Sequence, residues 1–182
     1  MLATMQVTEN AVVDPELEEV FRAHHGHVFR AAYKVLGNAE DAEDVLQTVF
    51  LRLSRREGDA AAMKSVESYL YRAAVNASLD LLRSRRNRTD VSLDQDDASA
   101  KLAIAGRFDP EKDIDLKRWI RQALPKLQGR AAEMFVLRYV QDFNNREIAS
   151  MFQTSQAVVA VTLFRTRTQL QKDFKSYMRG SR

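Results

Sequence analysis

The stretch NNREIASMFQTSQAVVAVTLFRTRTQLQK (144–172) divides into two helices at a single point, and that division sets the architecture of the second half of the chain. Asn144-Asn145-Arg146-Glu147 has the form of a capping box, with Asn as cap and Glu three residues on. It opens a short helix carrying Ile148, Ala149 and Phe152 on one side. Gln153-Thr154-Ser155 is a tight connection, and Ser155 can cap a final helix. Val159, Leu163, Thr166 or Arg167, Leu170 and Phe174 follow helical spacing along that helix. A short helix, a tight turn and a longer helix fit a helix-turn-helix, whose second helix enters the major groove. An ordinary helical hairpin has the same spacing. The basic surroundings (Arg130, Arg138, Arg146, Arg165, Arg167, Lys172) favour the first, since such side chains hold phosphates and set register.

Working toward the N-terminus, Ala132, Phe135, Val136 and Tyr139 mark a preceding helix, and Leu116, Ile120, Leu124 and Leu127 another, with Gly129 as the break between them. Residues 89–112 dissolve into Asp, Ser, Ala and Gln and read as a flexible acidic linker. Before it, a long helix from Lys64 or Ser65 to about Arg88 carries Val66, Leu70, Ala73, Ala74, Ala77 and Leu81 inside and ends in four arginines, Arg83, Arg85, Arg86 and Arg88. Residues 57–65 have no periodicity and read as a loop. Asn38 caps an earlier helix whose first turns are acidic (Glu40, Asp41, Glu43, Asp44), as the positive end of a helix favours. Its apolar face is Ala42, Val45, Leu46, Val49, Phe50 and Leu53. The first helix opens at Asp14-Pro15, is interrupted at Gly26, and stops at Gly37, a residue suited to a left-handed end.

The expectation is therefore an all-α chain of two small helical domains, 14–88 and 113–178, joined by the linker 89–112. The 182 residues suffice for one ordinary domain or two small ones. Six Gly and three Pro argue against a turn-dense β fold, and the absence of Cys excludes disulfides, thiolate metal sites and a Cys nucleophile. No apolar run approaches the ~18 residues that span a bilayer, and the N-terminus has no basic-then-apolar leader, so a soluble cytoplasmic protein without a membrane partner is expected. The net charge of +3 hides an asymmetry: residues 1–89 carry −1, residues 90–115 carry −5 and residues 116–182 carry +9. Concentrated basic charge is the footprint of a polyanion binder, although a solvated basic surface has the same composition.

Tyr69 and Tyr71 could stack on unpaired bases, at about 1–3 kcal/mol per base, with the arginines beyond them gripping phosphate. For each tyrosine taken singly, core packing is the better account. His24, His25 and His27 lack the i, i+4 spacing of a helical metal site and no carboxylate completes a set. The acidic cluster at 40–44 has no partner His or nucleophile and reads as a dipole-matched first turn. No phosphate-cradling glycine loop and no GxSxG is present. Neither a catalytic residue, a metal site nor a cofactor is assigned.

NAEDAEDVLQTVFLRL (38–53), followed by SYLYRAAVNASLDLLRSRRNR (68–88), resembles region two of the bacterial extracytoplasmic-function (ECF) sigma factors. The matching residues are Asp41, Ala42, Glu43, Asp44, Gln47, Phe50, Leu51, Leu70, Tyr71, Arg72, Ala74, Asn76 and Arg83. LPKLQGRAAEMFVLRYVQDFNNREIASMF (124–152) is similar to region four of the same family, with Leu-Pro-x-Leu, a helix ending Leu-Arg-Tyr, and Glu-Ile-Ala in the helix-turn-helix. The resemblance implies a non-enzymatic alternative sigma factor of the sigma-70 superfamily. It would bind RNA polymerase core through the β′ clamp helices and the β flap, read promoter DNA, and answer to an anti-sigma factor in some cases.

The resemblance also implies roles. Asp41, Asp44, Gln47, Thr48, Phe50 and Leu51 would dock on the clamp, where an acidic helix end meeting a basic partner makes electrostatic sense. Lys64, Tyr69, Tyr71, Arg72, Asn76, Arg83, Arg85, Arg86 and Arg88 would recognise and melt the −10 element, trapping a base outside the stack. Arg138, Asn145, Arg146, Ser155, Gln156, Ala157, Ala160, Val161, Phe164, Arg165 and Arg167 would read the −35 element. The acidic linker resembles the family's connector through the polymerase cleft.

The chain departs from the family pattern at several places. Gln153 stands where the turn usually has Gly, so either it takes a left-handed conformation or the turn differs. Val158-Val159-Ala160-Val161-Thr162 replaces the common Thr-Val-Lys-Ser-Arg, leaving Val161 and Phe164 as candidate exposed apolar residues. Thr48 and Val49 replace the commoner Glu-Thr, and Ser54 replaces a common Trp. The apolar recognition helix supports an alternative, a sigma-like decoy that binds an anti-sigma factor without reading a promoter. A metal-dependent enzyme using His24 or His27 is a third reading, disfavoured by the lack of a ligand set.

Overall fold

The computed structural model describes residues 15–55, 65–89 and 110–180, and every regular element among them is helical. Seven α-helices follow in order: α1 Pro15–Leu36, α2 Ala39–Ser54, α3 Val66–Thr89, α4 Pro110–Ala123, α5 Gly129–Tyr139, α6 Asn145–Met151 and α7 Gln156–Gly180. A short 3-10 turn, Leu124–Lys126, joins α4 to α5 and holds Pro125 near its start. Most of the linker expected at 89–112, the loop at 57–65 apart from Ser65, and Asp14 lie outside the described residues. Residues 110–112 already belong to α4.

Local chemistry explains the boundaries. Gly37 takes φ 72 and ends α1, its N–H reaching the Tyr33 carbonyl at 2.7 Å. Asn38 then caps α2, its Oδ1 accepting from the N–H of Glu40 at 2.8 Å and of Asp41 at 3.4 Å. Ser65 starts α3 by accepting from the Ser68 N–H at 3.1 Å. One expectation is corrected here: Gly26 does not interrupt α1, which runs unbroken through it. A mid-helix Gly costs about 1 kcal/mol relative to Ala, and the burial of Val28, Ala31, Ala32 and Val35 on α1 offsets it. Gly129, expected as a break, is the first residue of α5.

Two apolar clusters form. One joins α1, α2 and α3 through Val28, Ala32, Val45, Val49, Leu53 and Leu70. The other gathers α4 to α7 around Leu124, Met134, Leu137, Ile148 and Val159, and it also takes in Val35 of α1 and Val75 and Leu79 of α3. α3 is therefore apolar on two sides. Leu70, Ala74 and Ala77 face its own three-helix unit, while Val75 and Leu79 face the second unit. The sequence-derived stripe found the first side and missed the second. The two units pack directly on each other along α3, α5 and the 3-10 turn.

Candidate nucleic-acid interface

The turn between α6 and α7 is built from backbone bonds. Asn144 accepts from the Arg146 and Glu147 N–H groups at 2.9 and 3.0 Å, and Glu147 Oε2 accepts from the Asn144 N–H at 2.7 Å, which completes the capping box. At the far end of α6, Gln153 adopts φ 50. The Gln153 N–H reaches the Ser150 carbonyl at 3.2 Å and the Thr154 N–H reaches Ala149 at 2.9 Å, the paired bonds of a Schellman ending. Gln thus occupies the left-handed position that usually favours Gly. Ser155 Oγ accepts from the Val158 N–H at 3.2 Å and opens α7. Ile148, Ala149 and Phe152 of α6 are buried together with Val159 and Leu163 of α7, which fixes the angle between the two helices.

The outer side of α7 presents Gln156, Ala157, Ala160, Val161, Phe164, Arg165 and Arg167 to solvent, with Ser155 just before it. Val158 is half-exposed too, and Phe164 is 68% exposed. An uncovered phenylalanine on a surface helix loses the free energy of burial until something covers it. Arg146 is exposed at the start of α6, whereas Asn145 is half-buried. Arg138 turns back toward the loop after α5, its Nη1 3.5 Å from the Phe143 carbonyl and its guanidinium 5.8 Å from the Tyr139 ring centre.

α2 offers a different surface. Glu40, Glu43, Asp44, Gln47 and Leu51 are exposed along one side, and Thr48 is half-buried. Two residues assigned to clamp docking lie elsewhere: Phe50 is buried in the three-helix core, and Asp41 is buried with its carboxylate on Arg85. Beside this surface, Phe21, His25, Phe29 and Arg30 of α1 face Glu43, Leu46 and Gln47 across an open cavity of about 500 Å³.

On α3, the residues assigned to the −10 element divide. Arg85, Arg86 and Arg88 are exposed near its C-terminal end, and Lys64 lies outside the described residues. Tyr69, Asn76 and Arg83 are half-buried, and Arg83 pairs with Asp80 at 3.0 Å. Tyr71 and Arg72 are turned into the second unit. The Tyr71 ring meets Phe143 edge-on at 5.0 Å, and its hydroxyl lies 3.3 Å from His27 Nδ1. Burial raises the Tyr71 hydroxyl above its ordinary value of 10.0, Glu67 adds to this, and Arg30 opposes it. Arg72 donates from Nη1 to the Met151 carbonyl at 2.9 Å, approaches Glu133 Oε2 at 3.5 Å, and lies 4.2 Å from the Phe152 ring centre. Neither Glu133 nor Phe143 stood out in the sequence, because each acquires its role from a partner about sixty to eighty residues away. His25 Nδ1 stays on its own helix, 3.0 Å from the Phe21 carbonyl, and no group of three metal-ligating side chains forms among the described residues.

Comparison with known proteins settles what these helices belong to. The family described as Sigma-70 region 2 matches residues 20–88, and that described as Sigma-70, region 4 matches residues 117–170. The chain belongs to the sigma-70 factors, with regions 2 and 4 in the family's order. Among curated relatives, it is 26% identical over 157 residues to the ECF RNA polymerase sigma factor SigW of Bacillus subtilis, covering 81% of this chain and 83% of that one. It is 24% identical over 154 residues to SigM of the same organism, covering 85% and 92% respectively. Among solved structures, the fold resembles the sigma factor RpoE of Bartonella quintana, crystallised with the anti-sigma factor NepR, with a TM-score of 0.53 at 17% identity over 88% of this chain and 97% of that one. Region 2 is thus the α1–α3 unit and region 4 the α4–α7 unit. Membership makes the chain a transcription initiation factor that acts with RNA polymerase at promoters, and not an enzyme. No helix among the described residues is long and apolar enough to cross a membrane.

Proposed function

We propose that this sigma factor works in the cytoplasm, docking on the β′ clamp helices through Asp44, Gln47, Thr48 and Leu51 of α2 and reading the two promoter elements with α3 and α7. The exposed row on α2 supports the first part, because an acidic helix end beside an apolar side chain suits a basic partner helix. Asp41 acts indirectly, by holding Arg85. The −10 element falls to the α3 face with Tyr69, Tyr71, Arg72 and Asn76, and the arginines at 83–88 hold phosphate. The −35 element falls to Ser155, Gln156, Ala157, Ala160, Val161, Phe164 and Arg165, with Arg138, Arg146 and Arg167 around them.

One observation carries the reading. The apolar outer face of α7 lies on the second helix of a helix-turn-helix whose first helix is capped, and exposed Arg146, Arg165 and Arg167 accompany it. Valine and phenylalanine in a major groove find thymine methyl groups, while the arginines take the phosphates. The decoy reading leaves that face to a protein. Run-off transcription with purified core polymerase on a library of genomic fragments separates the two. Initiation from a subset of fragments is expected. Initiation from none, with intact core binding, would leave the decoy. Asp44→Arg combined with Gln47→Ala is expected to weaken core binding at least tenfold with helicity unchanged.

A further inference from the structure

α7 is apolar on two opposite sides in its first turns. Val159 and Leu163 are buried in the second unit, as is Leu170 farther on. Ala157, Val158, Ala160, Val161 and Phe164 face away from that core and are exposed. Val158, Val161 and Phe164 follow one another at intervals of three, so they form a single stripe along the outer side. Hydrogen-bonding groups are scarce there. Thr162 donates its hydroxyl proton to the Val158 carbonyl at 2.8 Å, and Thr168 donates to the Phe164 carbonyl at 2.9 Å. Ser155 Oγ already accepts from the Val158 N–H at 3.2 Å. Ser155 and Gln156 are the polar side chains at the start of the helix, and none interrupts the stripe between Ala157 and Val161.

We infer that this stripe reads the C5 methyl group of pyrimidines as such, so that thymine and 5-methylcytosine serve equally in the −35 element while uracil and cytosine do not. The inference rests on the promoter-reading assignment proposed above and specifies its base chemistry. An apolar side chain gives nothing to the donors and acceptors on a base edge. The one group in the major groove that it favours is a methyl on C5, which thymine alone carries among the four ordinary DNA bases. Charge selects DNA as the occupant of the stripe. Arg146, Arg165 and Arg167 are exposed beside it, and residues 116–182 carry +9, which suits phosphates on either side of a groove. From Ala157 to Phe164 the helix rises by about 10 Å. At ~3.4 Å per base pair, that length meets about three consecutive pairs. The specified feature is therefore a short run of methylated pyrimidines. Val161 and Phe164 determine the specificity, and the arginines add affinity that is indifferent to sequence.

The test replaces atoms in the DNA. Full-length protein is combined with core polymerase, and a transcribed genomic fragment is footprinted to find the upstream protected block. That block is resynthesised with each thymine changed in turn to deoxyuridine, which removes only the methyl. In two further series each T·A pair becomes C·G or 5-methylcytosine·G. Deoxyuridine is expected to weaken holoenzyme binding about fourfold for each methyl in contact, the loss that follows from uncovering one methyl-sized group. C·G should weaken binding at least as much, and 5-methylcytosine·G should return it to within about twofold of T·A. Val161→Ala with Phe164→Ala changes two exposed side chains, so helicity should be unchanged, and thymine and deoxyuridine should then bind within about twofold of each other. Equal binding of thymine and deoxyuridine by the wild-type protein on a transcribed fragment overturns the inference and leaves the promoter reading standing. A loss with 5-methylcytosine as large as with cytosine also overturns it, because hydrogen bonds would then be read. So does a methyl effect that persists undiminished in the double variant, which would place the effect in DNA shape. If no fragment is transcribed or protected upstream, the promoter reading falls and this inference with it, and the stripe is left to a protein.

Discussion

Arg85, one turn before the end of α3, donates from Nη2 to Asp41 Oδ1 in the first turn of α2, at 2.5 Å. The carboxylate is almost completely buried, while the guanidinium is 43% exposed. The bond ties the end of the arginine-rich helix to the start of the acidic one. Asp41→Asn is expected to lower the stability of region 2 by about 1–2 kcal/mol, because a charged hydrogen bond is lost inside. Arg85→Ala should cost less, since its side chain is partly screened by water. Urea unfolding followed by circular dichroism measures both. A well-folded Asp41→Asn variant that no longer binds core polymerase would return Asp41 to the docking surface.

Gln153 holds φ 50 at the left-handed position of a Schellman ending. A side chain there costs about 1–2 kcal/mol relative to Gly, part of which is offset by the greater freedom of Gly in the unfolded chain. Gln153→Gly is therefore expected to stabilise the protein by about 0.5–1 kcal/mol, raising the midpoint of thermal unfolding by roughly 1–4 °C. A lower midpoint would show that the Gln side chain makes a compensating contact.

These cases show which parts of the fold were legible in the sequence. Caps and stops are local, so Asn38, Gly37, Ser155 and the Asn144–Glu147 box could be read from spacing alone and appear where expected. Gln153 was legible as a choice between strain and a different turn, and strain is the outcome. Gly26 misled because a helix can carry one Gly when four neighbouring residues are buried. The second apolar side of α3 was invisible, since Val75 and Leu79 fill gaps in a helix that packs on both sides and weakens its own periodicity. Of the candidate site, exposed residues such as Asp44, Gln47, Val161 and Phe164 were legible. The burial of Asp41 and the capture of Arg72 depend on residues distant in sequence.

Phe164 and its neighbours on α7 separate base reading from phosphate binding. Phe164→Ala should leave stability within about 0.5 kcal/mol of wild type, because the ring is 68% exposed. It should reduce discrimination between promoter and random DNA. Arg165→Ala and Arg167→Ala should instead weaken binding to every sequence and each reduce the salt slope by about 1. Fluorescence anisotropy across a salt series distinguishes the two effects. An unchanged slope would take both arginines off the phosphate backbone.

Tyr71 gives the contact between the two units a pH signature. Its hydroxyl titrates above the ordinary 10.0, first because burial disfavours the phenolate and second because Glu67 repels it. A raised folded value means that the native chain keeps this proton after the unfolded chain has released it. The contribution to stability is therefore complete below about pH 10 and falls as pH rises through the folded value. The ring sits on Phe143 of region 4, so ionisation favours separation of the units. Tyr71→Phe is expected to remove one late-ionising component from the alkaline ultraviolet titration and to flatten the loss of stability above about pH 10. At pH 7 it should change stability little, because the hydroxyl's contact with His27 is long at 3.3 Å. An identical alkaline profile for Tyr71→Phe and wild type would place the Tyr71 hydroxyl in water, outside the contact between the two units.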